Sequence, residues 1–375
     1  MRILIATPTY PPEKGNHAEY TKELCSVMGK EHHLTVVAYA IVAYSDIETP
    51  SSEVKVLPID KRRPLAIRFI KFFLKILKES RNTDFIYVQN TVAAGLPVAL
   101  ANIITGKPFV LKFVGDEAQE RVAQSKFKKK NFKIFLISLI QKFVLKRASK
   151  IITMSECLKQ NVAKMYKIKP ENIITNYNPP EKQEILPFGV QTKKHQISTA
   201  GKITNLSGVD ISIKAVAILK NKFPDVKLIV VGGGPEIENF KKFGLSLNLS
   251  QNVEFLGKVS GAEAWKIRKE SEVCIFNLAD KMLPQRALAN FAAQTPTIAT
   301  DMPEIREIIE NEKTGLLVKP NDDKSLANAI ERLFTDEILK QKIIRNGTEA
   351  LKTRFSWNAH IKILNDIFKK IINSR

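Results

Sequence analysis

The residues of this chain best suited to chemistry lie in three short segments of its second half. The segment VVGGGPE (Val230–Glu236) is an apolar strand ending in three glycines and a proline, and NVEFLGKVS (Asn252–Ser260) is a short strand closed by Gly-Lys. The third, AAQTPTIATD (Ala292–Asp301), joins a small-residue helix end to another apolar strand through a Thr-Pro turn. Because glycine has no side chain, such turns let the backbone approach a phosphate or a sugar. This order predicts one half of a nucleotide-handling α/β protein.

Short apolar strands alternate with longer amphipathic helices along the chain, the pattern of parallel sheets wrapped by helices. The polar stretch Glu181–His195 interrupts this alternation and is predicted to be an interdomain linker. We therefore predict an α/β protein with two Rossmann-like, doubly wound parallel-sheet domains, 1–185 and 195–355, the first joined by a C-terminal helix, 356–375. A ligand would bind in the cleft between them, at the carboxyl ends of the strands. Strands are predicted near residues 2–6, 34–38, 54–58, 84–89, 108–113, 149–154, 196–200, 226–231, 252–255, 272–276, 296–299 and 315–318.

Size and composition are typical of a soluble globular protein. The 375 residues suffice for two domains with separate cores, and 44% are hydrophobic and 26% charged. The cysteines, Cys25, Cys157 and Cys274, have no metal-type spacing, and no apolar run reaches the ~18 residues of a membrane span. The N-terminal MRILIATPTY is predicted to be a strand and not a signal peptide. The expected setting is the reducing cytoplasm.

Positive charge is concentrated in two segments of the first half. The formal net charge is +21, and residues 61–78 carry seven basic residues and no acid, residues 121–150 ten and no acid. Such clusters attract a polyanion. In 61–78 and 126–147 the basic residues accompany wide apolar faces, which favours either contact with an anionic membrane or helices that pack on a sheet with their lysines in solvent. The glycine turns give nucleic-acid binding no support.

The motifs, in this order, resemble those of glycosyltransferase family 4, whose members are nucleotide-sugar-dependent transferases with the two-domain GT-B fold. The likeness runs from Arg2 to about Phe368. It implies transfer of a sugar from a nucleotide-diphospho-sugar to a glycan or lipid-linked acceptor, with retention of anomeric configuration, in cell-surface polysaccharide or glycolipid synthesis. It implies no metal and no cofactor beyond the donor substrate. Further matching segments are TYPPEKGNHAEYTKEL, KPFVLKFVGD, AGKITNLSGVDISIKA and PTIATDMPEIREIIENEKTGLLVKPND.

The resemblance implies cations in the second domain that hold the donor diphosphate. Negative charge builds on the leaving phosphates, and cations, backbone N–H groups and helix N-termini stabilise it. Lys202 matches a family arginine that grips the diphosphate, so it keeps the charge but loses the bidentate fork. Ser207 stands where the family has a lysine, and it could cap a turn instead of binding phosphate.

Three loops match the remainder of the donor site, although in each the glycines could simply shape a strand–helix connection. Asn16 replaces the second residue of a Gly-Gly pair but can still adopt a left-handed backbone. The matched residues are Gly15 and Asn16 near the phosphates, Gly233 and Gly234 beside the nucleotide, and Lys258 and Val259, after Gly257, in the loop whose backbone meets the nucleobase.

One family motif, Glu-x7-Glu, is missing. Its two glutamates would fall at Lys281 and Ala289, and neither position is acidic. Lys281 and Arg286 instead add positive charge, which could replace the charge lost at Ser207, or recognise an acidic sugar, or reflect degeneration of the site. The alternative function is therefore a catalytically impaired GT-B binding or scaffold protein. The residues predicted to line the donor site here are Lys281, Leu283, Pro284 and Gln285.

Asp116 is the candidate on the acceptor side. It follows Gly115 after the apolar strand PFVLKF, where the family often has His-Asp or His-Gly near the transferred sugar. The resemblance implies that Asp116 orients the acceptor or contacts the sugar, and with Lys202 it forms the predicted catalytic pair. It could instead cap the next helix.

Overall fold

The chain divides into two compact units, Met1–Tyr177 with Trp357–Arg375, and Asn178–Ser356. The computed structural model describes residues 1–13, 15–41, 49–117, 132–180, 190–276 and 285–373, without the side chains of Asn16, Gln285 and Arg286. Each unit contains one parallel sheet with helices on its faces.

The first unit is built on seven parallel strands in the order β3-β2-β1-β4-β5-β6-β7. The central strands are runs of buried residues, as expected for a sheet that is covered on both faces. The strands are β1 (Arg2–Thr7), β2 (His33–Ala40), β3 (Val54–Asp60), β4 (Phe85–Gln89), β5 (Phe109–Phe113), β6 (Lys150–Thr153) and β7 (Ile173–Thr175).

Helices cover both faces of this sheet. The helices are α1 (Asn16–Met28), α2 (Leu65–Glu79), α3 (Gly95–Thr105), α4 (Phe132–Arg147), α5 (Glu156–Tyr166) and the C-terminal α13 (Trp357–Asn373), with short 3₁₀ turns at Ser80–Asn82 and Pro170–Asn172. On one face, α2 to α5 bury Phe72, Val98, Val144 and Val162 in one apolar cluster. On the other, Leu24 of α1 and Leu364 of α13 share a second cluster. The last helix of the chain is therefore part of the first unit's core.

The second unit has six parallel strands in the order β10-β9-β8-β11-β12-β13. The strands are β8 (Lys193–Ala200), β9 (Lys227–Val231), β10 (Val253–Gly257), β11 (Ser271–Phe276), β12 (Thr297–Thr300) and β13 (Leu316–Val318). The helices are α6 (Val209–Leu219), α7 (Ile237–Ser246), α8 (Gly261–Glu270), α9 (Gln285–Ala293), α10 (Pro303–Arg306), α11 (Asp323–Thr335) and α12 (Glu337–Thr353). The main core joins the sheet to α6, α7, α11 and α12.

The predicted fold class is confirmed. All twelve predicted strands are present. Eleven agree with the prediction to within two residues at each end, and β8 begins at Lys193, three residues earlier than predicted and within the segment predicted as linker. The three-residue strand β7 was not predicted. In both sheets the strand order reverses beside the first strand of the unit, between β1 and β4 and between β8 and β11. Ligands of doubly wound sheets bind at the carboxyl ends of the strands near such a reversal.

Candidate functional site

The glycine turn after β9 is the best-defined feature at the carboxyl edge of the second sheet. Gly232 has φ of +134°, and a Cβ built there would lie 1.7 Å from the carbonyl oxygen of Gly201. A Cβ at Gly234 would lie 1.9 Å from the carbonyl oxygen of Ile203. Any side chain at these two positions would therefore overlap the backbone of the loop after β8. Glycine is required here by backbone packing, independently of any ligand.

Lys202 lies in that loop, between two anchored backbone positions. Gly201 N donates to Val231 O at 2.8 Å, and Ile203 N donates to Gly233 O at 3.0 Å. The backbone on both sides of Lys202 is thus fixed to the glycine turn, while its side chain is exposed. A cation presented from a rigid loop at the strand reversal is suited to binding an anion.

The side chain of Ser207 forms its hydrogen bond within its own loop. Its side chain is almost fully buried, and its Oγ donates to Thr204 O at 2.6 Å while its backbone N donates to the same oxygen at 3.0 Å. Ser207 thus closes the turn before α6, as the alternative interpretation of the sequence proposed. Its hydroxyl donor is used inside the loop, and a phosphate contact by Ser207 stays a prediction.

The loop after β10 lies on the other side of the glycine turn. Gly257 has φ of +70°, and its carbonyl oxygen accepts from Gly232 N at 2.7 Å. Lys258 is exposed and its aliphatic stem lies against Gly233. Val259 is half-buried and packs against the small apolar cluster of Ile229, Val231 and Ile267. The loops of Lys202 and Lys258 therefore flank the glycine turn from its two neighbouring strands.

The predicted donor residues around the missing Glu-x7-Glu motif lie largely beyond the structural description. Lys281, Leu283 and Pro284 fall outside the described residues, and Gln285 is the first residue of α9. Ala289, at the position of the second family glutamate, lies within α9 and is half-buried. The roles proposed for these positions stay predictions.

In the first unit, Gly15 precedes α1 at the carboxyl edge of the sheet. Its φ is +137°, a conformation that favours glycine, and a Cβ there would have no atom of the described residues beyond its chain neighbours within 4 Å. Its carbonyl oxygen accepts from the N–H groups of Ala18 and Glu19 in the first turn of α1, which begins at Asn16. Gly15 itself is exposed, as a backbone contact with a ligand would require.

Asp116 lies beyond the end of β5 and is held by a tyrosine that sequence reasoning missed. Tyr166 Oη, at the end of α5, donates to Asp116 Oδ2 at 2.5 Å. Burial and this carboxylate raise the pKa of Tyr166, so the phenol keeps its proton and orients Asp116. The neighbouring Glu117 accepts from Asn90 Nδ2 at 2.9 Å, and Asn90 itself has φ of +140°. Asn90 is the polar residue directly after the apolar strand FIYVQ, and this position is the sequence signal that could have pointed to it.

A buried basic cluster lies beneath α1, and the sequence did not point to it. Lys112 of β5 is 1% exposed, with Nζ 3.1 Å from the centre of the Tyr20 ring, and burial lowers its pKa well below the usual value. His360 of α13 donates from Nδ1 to Tyr177 O at 2.8 Å, so its Nε2 accepts from Tyr20 Oη at 2.7 Å. Burial, and then the charge of Lys112, lower the pKa of His360 to about 3. Hydrogen bonds to a neutral histidine therefore tie α13 to α1 and to the end of the unit's first segment.

Two further observations concern the described residues. No three His, Cys, Asp or Glu side chains among them are grouped so that they could hold a metal ion. None of the helices in the described ranges combines the length and apolar character needed to cross a membrane.

Comparison with known proteins matches both units to glycosyltransferase families. Residues 17–181 match the family Glycosyltransferase Family 4, and residues 181–350 match Glycosyl transferases group 1. An uncharacterized glycosyltransferase of Methanocaldococcus jannaschii is 24% identical over 232 residues, 58% of this chain and 59% of the relative. The capsular polysaccharide biosynthesis glycosyltransferase CapM of Staphylococcus aureus is 28% identical over 311 residues, 76% of this chain and 77% of the relative.

The fold is shared with solved structures over the whole chain. Anabaena HepE, in complex with UDP, matches with a TM-score of 0.72 at 18% identity, covering 98% of this chain and 99% of that one. The two family matches follow one another from residue 17 to residue 350, and each lies almost entirely within one parallel-sheet unit. Each unit thus matches a glycosyltransferase domain, and the chain has the two-domain GT-B fold.

Proposed function

We propose that this chain transfers a sugar, with retention of configuration, from a nucleotide-diphospho-sugar to a glycan or lipid-linked acceptor in cell-surface polysaccharide or glycolipid synthesis. The observation that carries the proposal is the setting of Lys202, an exposed cation on an anchored loop beside a glycine turn at the strand reversal. Charge that develops on a leaving diphosphate is stabilised best by a cation that needs no reorganisation. No metal or organic cofactor is required in this proposal.

Two relatives support the substrate classes. CapM is a capsular polysaccharide biosynthesis glycosyltransferase, and HepE is solved in complex with UDP. We assign Asp116 to the acceptor side, where Tyr166 fixes its carboxylate. Retention would follow from front-face attack by the acceptor hydroxyl, so that the protein's contribution is to position both substrates and stabilise the leaving group.

The test is release of nucleoside diphosphate from a panel of UDP-, GDP-, ADP- and TDP-sugars, with and without EDTA, and with the product anomer assigned by NMR. We expect release with at least one donor, an unchanged anomer and no effect of EDTA. Lys202→Met should lower release by about tenfold or more, because a charge-assisted contact is lost. The matched control is Lys342→Met, which replaces an exposed lysine of α12. If no donor releases a nucleoside diphosphate, and the melting temperatures of Lys202→Met and the wild type respond alike to these donors, the result favours the alternative of a binding or scaffold protein.

We further propose that the first unit binds an anionic membrane surface at the cytoplasmic face. Helix α3 packs between α2 and α4, so the three helices form one outer layer. In α2 the sheet is contacted by Phe72 and Ile76, which are fully buried, so the exposed apolar residues of α2 are additional to its core contact. The exposed apolar residues of the layer are Leu65, Ile67, Ile70, Leu74, Ile103, Ile104, Phe132, Phe135, Leu136 and Leu139.

Basic residues accompany these apolar residues. Helices α2 and α4 carry the exposed residues Lys71, Lys78, Lys142, Lys146 and Arg147, and α4 contains no acid. Apolar side chains that enter the lipid interface, with lysines that meet anionic headgroups, are the combination that binds membrane surfaces. Part of the predicted segment 126–147, residues 126–131, lies outside the described residues.

Vesicle flotation tests this second proposal. We expect binding to vesicles that contain phosphatidylglycerol at low salt, weaker binding at high salt, and little binding to pure phosphatidylcholine. Leu74→Glu combined with Phe135→Glu should abolish flotation, whereas Ile338→Glu, at an exposed apolar residue of the second unit, should leave it unchanged. No binding at low salt, or equal loss in both variants, contradicts the proposal.

A further inference from the structure

The loop after β10 brings a lysine side chain onto the glycine turn. Ala200, Val231 and Gly257 are partners in register across three neighbouring strands, so the three loops leave the sheet at one level. A Cβ built at Gly233 would lie 2.8 Å from Lys258 Cε and 3.0 Å from Lys258 Cγ. The stem of Lys258 therefore occupies the volume that a side chain at Gly233 would fill.

Gly233 separates two lysines that carry unneutralised charge. On one side its carbonyl accepts from Ile203 N, next to Lys202, and on the other side lies the stem of Lys258. Within the described ranges, neither lysine forms an ion pair, and both are exposed. Two cations from neighbouring loops thus bracket a stretch of bare backbone.

The nearest acid on this turn is engaged with amide groups. Glu236 ends the glycine turn, and its Oε2 accepts from Asn239 Nδ2 at 2.8 Å. With its amide nitrogen turned towards Glu236, Asn205 donates to both carboxylate oxygens at 3.2 and 3.0 Å. This carboxylate is held between the loop after β8 and the first turn of α7, and it forms no ion pair with either lysine.

We propose that the Lys258 side chain is a phosphate ligand of this chain and acts with Lys202 on the diphosphate of the bound nucleotide. The inference rests on the proposed function and goes beyond it, because the sequence assigned Lys258 only a backbone contact to the nucleobase. The cation expected five residues after Lys202 is absent, since Ser207 stands there with its hydroxyl bonded to Thr204 O. Lys258 supplies that second charge from the neighbouring strand.

The contact with Gly233 also explains how a flexible lysine can serve this role. An unrestrained lysine loses much side-chain entropy when it binds a ligand. Because the Lys258 stem already packs along Gly233, part of that loss occurs in the free protein and the ammonium group is held near the turn. Gly232 and Gly234 are required by backbone packing, whereas glycine at 233 leaves room for Lys258.

Calorimetric titration with uridine, guanosine, adenosine and thymidine diphosphates, and with the four nucleosides, tests the inference. Lys258→Met keeps an unbranched side chain and removes the charge. It should lower the affinity for the preferred nucleoside diphosphate by about tenfold or more and leave the affinity for the corresponding nucleoside unchanged. Lys258→Arg should retain most of the affinity. Gly233→Ala, which displaces the Lys258 stem, should lower the affinity for the diphosphate by a similar factor. In the double variant with Lys258→Met, it should cause little further loss of affinity. Lys342→Met is the matched control.

The outcomes separate the two proposals. If the wild type binds a diphosphate and Lys258→Met binds it equally well, the role of Lys258 is refuted and the proposed function stands. An equal loss of affinity for the nucleoside and the diphosphate would also refute it, because the substitution would then have removed a contact to the nucleoside or disturbed the fold. If the wild type binds none of the four diphosphates, the proposed function fails and this inference falls with it.

Discussion

Lowering the pH below 6.5 is predicted to destabilise the first unit through one buried histidine. His360 is 2% exposed, hydrogen-bonded to Tyr177 and Tyr20, and its pKa is lowered from 6.5 to about 3 by burial and by Lys112. Between these two values the unfolded chain binds a proton that the folded chain does not. The contribution of His360 is therefore complete above pH 6.5 and is lost progressively as the pH falls towards 3. A pKa difference of about 3.5, from 6.5 to about 3, corresponds to about 5 kcal/mol, of which about 2 kcal/mol is lost between pH 7 and pH 5.

Denaturant unfolding monitored by Trp357 fluorescence measures this loss. Trp357 stacks on Tyr20 in the first unit, and a Trp265→Phe background removes the other tryptophan, which lies in α8. His360→Gln should be less stable at pH 7 because hydrogen bonds are lost, yet it should lose about 2 kcal/mol less than its parent between pH 7 and pH 5. His33→Gln, at an exposed histidine, should keep most of the parent's pH dependence. Equal pH dependence in the parent and His360→Gln would refute this reasoning.

Two other predictions follow from contacts in the two units. Gly232→Ala should cost at least about 3 kcal/mol of unfolding free energy, because its Cβ would lie 1.7 Å from a carbonyl oxygen at a φ of +134°. Gly244→Ala, in a helix where no atom of the described residues outside that helix's own backbone lies within 4 Å of the new Cβ, should stabilise the second unit by roughly 0.5–1 kcal/mol. Similar effects in both variants would contradict the packing argument. Tyr166→Phe should lower acceptor transfer by about tenfold with a smaller effect on donor hydrolysis, because only Asp116 loses a donor. An equal loss of both activities would point to a structural role for Tyr166.

Most of the fold was predictable from the sequence because its strands are short apolar runs between turns and amphipathic helices. The strand β7 was missed because three residues, Ile173–Thr175, are too few for a periodic signal. Lys112 was also missed as a core residue. A lysine within FVLKF would ordinarily be placed in solvent, and only the packing of α1 and α13 over β5 buries it against Tyr20.

The candidate site was predictable in its loops but less so in its side chains. The sequence marked the glycine turn, yet it could not show that Gly232 packs on Gly201, because that contact joins the ends of two neighbouring strands far apart in the chain. Nor could the sequence show that the Lys258 stem packs on Gly233, because this contact also joins two loops that are distant in the chain. The burial of the Ser207 hydroxyl likewise depends on the local turn.

We propose above that the carboxyl edge of the second sheet binds the diphosphate of a nucleotide. The most direct measurement is a crystal structure of the chain with the nucleoside diphosphate that binds best in titration. We predict that its phosphate oxygens lie within hydrogen-bond distance of the Lys202 and Lys258 ammonium groups, beside the Gly233 backbone. A diphosphate bound elsewhere, or side chains that fill the space between these lysines, would contradict the account.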